Sequence, residues 1–185
     1  MAVKGSRTKV KKPAISVTEI EVAVARHYGT REHIIVPNVS WGFDYIHECD
    51  VFIIKRNGYA VEVEIKRTKS DLLNDFHKVH QHKSDKIREF FYAIPKDKVD
   101  EWSKLIPKHA GIIAYEKHQE DVWDKKRRTW NGKKWVTRAR RIKDAEINKS
   151  AHKLTPEEQL KVARLGTLRI WNLKEKLIKN EQNKR

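Results

Sequence analysis

The chain has 185 residues, with 41 Lys/Arg against 25 Asp/Glu and a formal charge of +16 when histidine is neutral. Its single cysteine, Cys49, excludes a disulfide framework and a Cys-based zinc site, and no stretch approaches the roughly 18 consecutive apolar residues of a membrane span. The charge points to a polyanionic partner, most simply nucleic acid, and with no apolar leader behind the basic start the expected location is cytoplasmic.

The charge is unevenly placed. Residues 1–12 carry five basic residues and no acid, residues 13–118 carry sixteen of each sign, and residues 119–185 carry twenty basic against nine acidic. The expected organisation is a basic N-terminal arm (1–12), a neutral core (13–118) and a basic, Trp-containing, partly helical C-terminal extension (119–185). Trp123, Trp130, Trp135 and Trp171 lie among the cations of that extension. Cations with interleaved aromatics suit a phosphate backbone and stacked bases, although a solvated Lys-rich tail reads the same way.

In chain order, Ser16-Val17-Thr18 precedes a helical run that stops at Gly29, with Ile20, Ala23, Val24 and His27 as its buried stripe. His33–Val36 reads as a short strand stopped by Pro37. Asp50–Lys55 and Tyr59–Lys66 read as two strands joined at Arg56-Asn57-Gly58. Residues 70–89 are polar with helical spacing, and Ser70 is the expected N-cap. Phe90–Ile94 reads as a strand ended by Pro95, Val99–Leu105 as a helix and Gly111–Tyr115 as a last core strand. The result is an α/β layer with mixed strand directions. Further on, Trp130-Asn131-Gly132-Lys133 reads as a second hairpin turn. Thr155-Pro156-Glu157-Glu158 opens a helix that reaches about Lys179, with Leu160, Ala163, Leu168, Trp171 and Leu177 available to pack.

The hairpin carries the chemistry. Side chains alternate along a strand, so Glu62, Glu64 and Lys66 share one face and Val61, Val63 and Ile65 the other. The plain reading is a solvent-facing side of a half-buried sheet. Register sharpens the alternative. A two-residue turn at Asn57-Gly58 would set Asp50 opposite Ile65, on the wrong face. A three-residue loop with Gly58 left-handed instead pairs Val51 with Val63 and Ile53 with Val61, and sets Asp50 opposite Glu64. Cross-strand partners lie about 5 Å apart at Cβ, so two carboxylates would repel unless a divalent cation relieved them. Lys66 lies two residues on, within reach of a phosphate or an activated water.

Asp50 followed by Glu64-Ile65-Lys66 resembles the PD-(D/E)XK signature of restriction-endonuclease-like nucleases. The segments Cys49–Ile54, Val63–Asp75, Glu89–Pro95 and Leu105–Ile113 resemble, more closely, MmcB-like DNA repair proteins. The resemblance covers about residues 40–118. It implies a restriction-endonuclease-like α/β core, a mixed central sheet flanked by helices in αβββαβ order, with basic extensions at both ends. It also implies a Mg²⁺-dependent deoxyribonuclease, with Mn²⁺ able to substitute, acting in DNA repair, recombination or phage DNA processing. Asp50 and Glu64 would be metal ligands with the Ile65 carbonyl, and Lys66 would orient the attacking water. A Glu from the first helix would complete the site; Glu19 and Glu21 both qualify, with Glu19 preferred. Asp71 and Asp75 match an acidic pair of the MmcB-like pattern.

Lys69, Lys78 and Gln81 on the polar helix, with Arg127, Arg128, Arg140 and Arg141 in the extension, are the candidate nucleic-acid contacts. His77, His80 and His82 read as part of a basic surface rather than a zinc site. The expected partners are duplex or branched DNA, with a homodimer allowed for and no membrane. The competing reading is a catalytically inactive DNA- or RNA-binding protein on the same fold.

Overall fold

The structure is a computed structural model that describes residues 12–39, 48–76 and 84–183. The N-terminal arm up to residue 11, Lys78, Gln81 and the three histidines of the polar helix lie outside the described residues.

The architecture is α/β. Helix α1 (Val17–Tyr28) precedes strands β1 (Ile34–Val39), β2 (Cys49–Ile54) and β3 (Ala60–Ile65). Helix α2 (Lys69–Asp75) leads to β4 (Ile87–Pro95), and a 3-10 turn with the short α3 (Val99–Trp102) leads to β5 (Gly111–Asp124). Strand β6 (Thr129–Lys143) and the long α4 (Pro156–Gln182) follow. The six strands form one sheet in sequence order. β1–β2, β2–β3 and β5–β6 are antiparallel, while β3–β4 and β4–β5 are parallel. The sheet is therefore mixed, and β3, β4 and β5 all end on the same edge.

Both faces are covered. Ile20 and Val24 of α1 pack on Val51, Ile53, Val61, Val63, Phe91, Ala93 and Ile113. On the other face Leu72, Trp102, Ile106, Leu154 and Val162 pack on Phe52, Ile54, Tyr92, Ile94 and Ile112. Each large aliphatic side chain buried this way contributes roughly 1.5–3 kcal/mol.

The local signals explain where α1 starts and stops. Ser16 and Glu19 form a reciprocal capping box, and Gly29 at φ 95° terminates the helix. Ile20, Ala23 and Val24 are buried as expected; His27 is exposed, and Tyr28 packs instead, edge-on to Phe91. Helix α2 is capped by Thr68 rather than Ser70, since the Thr68 hydroxyl accepts from the Asp71 N–H. Strand β1 runs through Pro37, which an edge strand tolerates because its missing N–H is not needed by a further neighbour.

The expected boundary at residue 118 falls inside β5. The sheet continues through β6, whose Ala139 joins the α1-side core together with Ala145. The following segment is tied back by backbone bonds from Glu146 to His109, Asn148 to Arg88 and Leu154 to Gly58. The second hairpin turn is Lys125–Arg128 rather than Trp130–Lys133. Asp124 Oδ1 accepts from the Lys126 and Arg127 N–H groups and so closes the chain there.

Helix α4 starts at the predicted Thr155 capping box. Its packing differs from the expectation. Val162 is the buried residue, while Leu160, Leu168, Trp171 and Leu177 are exposed. Gly166 lets the helix approach Val36, where an added Cβ would lie 3.1 Å from a methyl group, and Arg169 donates to the Asn38 carbonyl. No helix among the described residues is long and apolar enough to cross a membrane.

Candidate functional site

Strands β2 and β3 pair Val51 with Val63 and Ile53 with Val61. The turn is the three-residue loop. Lys55 and Tyr59 close it, the Gly58 N–H donates to the Lys55 carbonyl at 2.8 Å, and Gly58 is left-handed at φ 87°. One step further along this register brings Asp50 level with Glu64. Asp50 Oδ2 there accepts the Ile65 N–H at 2.6 Å. The apolar faces thus set the register, and the register joins the carboxylates.

The polar face is not open to solvent. Glu62, Glu64 and Lys66 are 0%, 2% and 3% exposed, and Asp75 of α2 is 2% exposed. Lys66 Nζ donates to Glu64 Oε2 at 3.0 Å and to Asp75 Oδ1 at 2.7 Å, and the Tyr92 hydroxyl donates to Asp75 Oδ2 at 2.7 Å. The Lys66 N–H is held by the Ala93 carbonyl, and the Lys66 carbonyl accepts from the Tyr115 hydroxyl at 3.2 Å. The group lies at the edge where β3, β4 and β5 end.

Burial pushes the Glu64 carboxyl up to about 7, helped by the charges of Asp50 and Glu62 and opposed by Lys66. Burial alone would lower the Lys66 ammonium, but Glu64 and Asp75 outweigh it and the net shift is upward. Tyr92 is raised by burial and by its bond to Asp75. Tyr115 is raised by burial to about 12.

The structure brings Asp50, Glu64, Ile65 and Lys66 together. It does not bring Glu19 to them. Both Glu19 oxygens are committed, Oε2 to Ser16 in the capping box and Oε1 to Lys117 at 2.6 Å. Glu21 is the α1 carboxylate that senses Asp50. It accepts from Asn38 Nδ2 at 3.1 Å and is raised by burial and by the Asp50 charge. The helical register explains where Glu19 points: a capping residue at the third position must turn back toward the N-cap.

Asp71 is exposed in the first turn of α2, whereas Asp75 is the buried counter-ion of Lys66. Lys69 pairs with Glu101 at the surface. Arg127 and Arg128 are in the β5–β6 turn, Arg140 pairs in register with Ala114, and Arg141 lies 3.3 Å from Asp144. Tyr92 and Tyr115 carry no distinguishing signal in the sequence, because their context is that of ordinary core strands.

As oxygen donors, Asp50, Glu64 and a backbone carbonyl suit a hard cation; Mg²⁺ takes only one or two protein carboxylates and completes its shell with water and phosphate. Among the described residues no group of three or more His, Cys, Asp or Glu side chains is arranged to hold a metal ion.

Fold and site together define a mixed α/β protein with a buried carboxylate–lysine cluster at the carboxyl edge of its parallel strands. No protein-family model matches the chain, and no curated protein matches it. Among solved structures it is similar in fold to the SPO1766 protein of unknown function from Silicibacter pomeroyi. The TM-score is 0.53 at 16% identity, covering 86% of this chain and 88% of that one.

Proposed function

We propose that the chain is a metal-dependent nuclease of the PD-(D/E)XK type, related to MmcB-like DNA repair proteins, that hydrolyses phosphodiester bonds in DNA. The observation that carries this reading is the β2–β3 register. It sets Asp50 level with Glu64, beside which the Lys66 ammonium, two residues along the same strand, lies 3.0 Å away at the edge of the sheet. Asp50, Glu64 and the Ile65 carbonyl would hold Mg²⁺ or Mn²⁺. The bound ion would supply Lewis-acid polarisation of the scissile phosphate and a more acidic water.

The chain's own groups do the rest. Burial is the main cause of the elevated Glu64 carboxyl, and the Asp50 and Glu62 charges add to it; those two carboxylates are the part of the environment that a cation would relieve. Asp75 and Tyr92 hold Lys66 in place beneath it, so the ammonium is positioned before any substrate arrives. Glu21 supplies the helix-borne carboxylate on the Asp50 side.

One observation favours a second reading. Lys66 is neutralised internally by two carboxylates and is buried, as in a structural ion cluster. A catalytically inactive nucleic-acid-binding protein on this fold would carry the same arrangement.

A panel of labelled duplex, branched and single-stranded DNA and RNA, with Mg²⁺, Mn²⁺ or EDTA, separates the two when run beside Glu64→Gln. Cleavage that needs metal and disappears in Glu64→Gln supports the nuclease. Metal-independent binding with no cleavage supports the second reading. Cleavage that persists in EDTA overturns the assignment of these residues.

A further inference from the structure

The β5–β6 hairpin is longer than the sheet needs. β5 has 14 residues and β6 has 15, against six to nine in the other strands. Pairing of β4 with β5 ends at Pro95 and Tyr115, so from Glu116 onward β6 is the strand partner of β5. At about 3.3 Å per residue, Glu116–Asp124 makes a two-stranded ribbon roughly 27 Å long.

The root of this ribbon is firmly held. Lys117 is buried and bonded to Glu19 and to the Ala14 carbonyl, and Tyr115 is tied to the backbone of Lys66. β3, β4 and β5 are parallel, so the ribbon rises from the sheet edge that carries Glu64, Ile65 and Lys66.

The outer part is exposed on both strands. Lys117–Arg138 contains eight Lys/Arg against three Asp/Glu. Glu120 is taken by Arg138, and Asp124 shapes the turn and lies 3.8 Å from Arg127. Among the described residues no carboxylate pairs with Lys125, Lys126, Arg128, Lys133 or Lys134. The apex is a defined turn of four consecutive cations. Behind it Trp123 and Trp130 pack edge to face across the strands, centroids 5.3 Å apart, with Trp130 66% exposed.

The geometry points to this ribbon as a duplex-DNA-binding arm that enters a groove and seats the phosphodiester backbone against the neighbouring sheet edge. A major groove about 12 Å wide and about 8.5 Å deep admits a two-stranded ribbon. Cations at the apex and on β6 would meet phosphates on both walls. An anionic membrane would also attract such a tip. The cations, however, run along β6 as far as Arg140, and the Trp pair lies behind the cationic apex rather than at its tip. What the arm delivers its DNA to rests on the nuclease reading; the binding itself does not.

The test measures binding of a 25-base-pair duplex by fluorescence anisotropy in EDTA across a salt series. It compares the wild type, the tip variant Lys125→Ala/Lys126→Ala/Arg127→Ala/Arg128→Ala, and an equal charge loss on α4 (Arg164→Ala/Lys174→Ala/Lys176→Ala/Lys179→Ala). Circular dichroism checks that each variant is folded. A second tip variant, Lys125→Glu/Arg128→Glu, and vesicles of phosphatidylserine and phosphatidylcholine complete the set.

The tip variant is expected to bind at least about 30-fold more weakly at 150 mM salt, with a log–log salt slope smaller by about 3, near 0.9 for each phosphate contact removed. Charge reversal should weaken binding at least as much, and the α4 variant should change it less than about 3-fold. A tip variant that binds like the wild type, or loses no more than the α4 variant, overturns the arm. So does tip-dependent binding to vesicles beside tip-independent binding to DNA. Ribbon-dependent binding without cleavage under Mg²⁺ or Mn²⁺ fails the nuclease alone; cleavage with undiminished binding by the tip variant fails the arm alone.

Discussion

Lys66 sits between Glu64 and Asp75 with almost no contact with solvent, and that position decides what its loss should do. Lys66→Ala removes the cation and leaves two buried carboxylates facing each other. Breaking a buried pair in this way costs roughly 3–5 kcal/mol, and the loss should appear as a lower urea midpoint. Lys66→Met combined with Asp75→Asn and Glu64→Gln removes the charges together and should recover most of that stability. Glu64 itself makes stability depend on pH. Its folded value, about 7, lies above the ordinary carboxylate value of 4.5, so the native state keeps a proton that the unfolded chain has released between those two values. Stability should therefore fall as pH rises from about 4.5 to 7, by up to about 3 kcal/mol, and level off above. Urea midpoints at pH 5 to 8 should show this slope in the wild type and a flatter one in Glu64→Gln.

At the scale of single elements, the turn between β2 and β3 has the sharpest consequence. Gly58 adopts φ 87°, and a Cβ there would meet only ordinary contacts with Lys153. The cost of Gly58→Ala is therefore backbone strain, roughly 1–2 kcal/mol, and it weakens the register that joins Asp50 to Glu64. A lower thermal midpoint without a change of fold is the expected result. Thr155→Ala removes the capping box of α4 and should cost about 1 kcal/mol in urea unfolding. These elements were legible because their signals are local: a glycine in a loop, a hydroxyl three residues before a glutamate. The α4 stripe was not. Leu160, Leu168, Trp171 and Leu177 have helical spacing, but the face that meets β1 is the one around Val162 and Gly166, where the backbone can approach. The second hairpin turn lies elsewhere than its strongest local signal for a related reason. Asn131-Gly132 is a strong turn signal, but Asp124 closes the chain earlier, and Gly132, left-handed at φ 75°, is absorbed within β6.

For the whole molecule, the central question is where the folded unit ends. A chain cut at residue 118 would lose β6, half of β5, and the Leu154 and Val162 side chains that close one face of the sheet. It should fail to fold, with no cooperative urea transition; a truncated core that stayed native would show that β6 and α4 are dispensable. Removing only the tip, residues 121–133, should leave the core transition intact, since those side chains stand clear of both hydrophobic clusters. The charge arithmetic saw a neutral core with a basic tail. The structure distributes that tail into one more sheet strand, a stitched connector and a helix, and leaves about half of its surplus charge along the ribbon.

Composition and alternation along the chain determined the basic character, the two faces of β3, the three-residue loop at Gly58 and the pairing that sets Asp50 beside Glu64. All of these follow from strand periodicity and turn chemistry, which act over a few residues. Burial of the polar face, the capture of Lys66 by Asp75, the pairing of Glu19 with Lys117 and the extension of the sheet through β6 depend on segments distant in sequence packing together. Only the assembled tertiary structure could decide them, because neither the cost of burying a charge nor the partner that offsets it is written in the neighbouring residues.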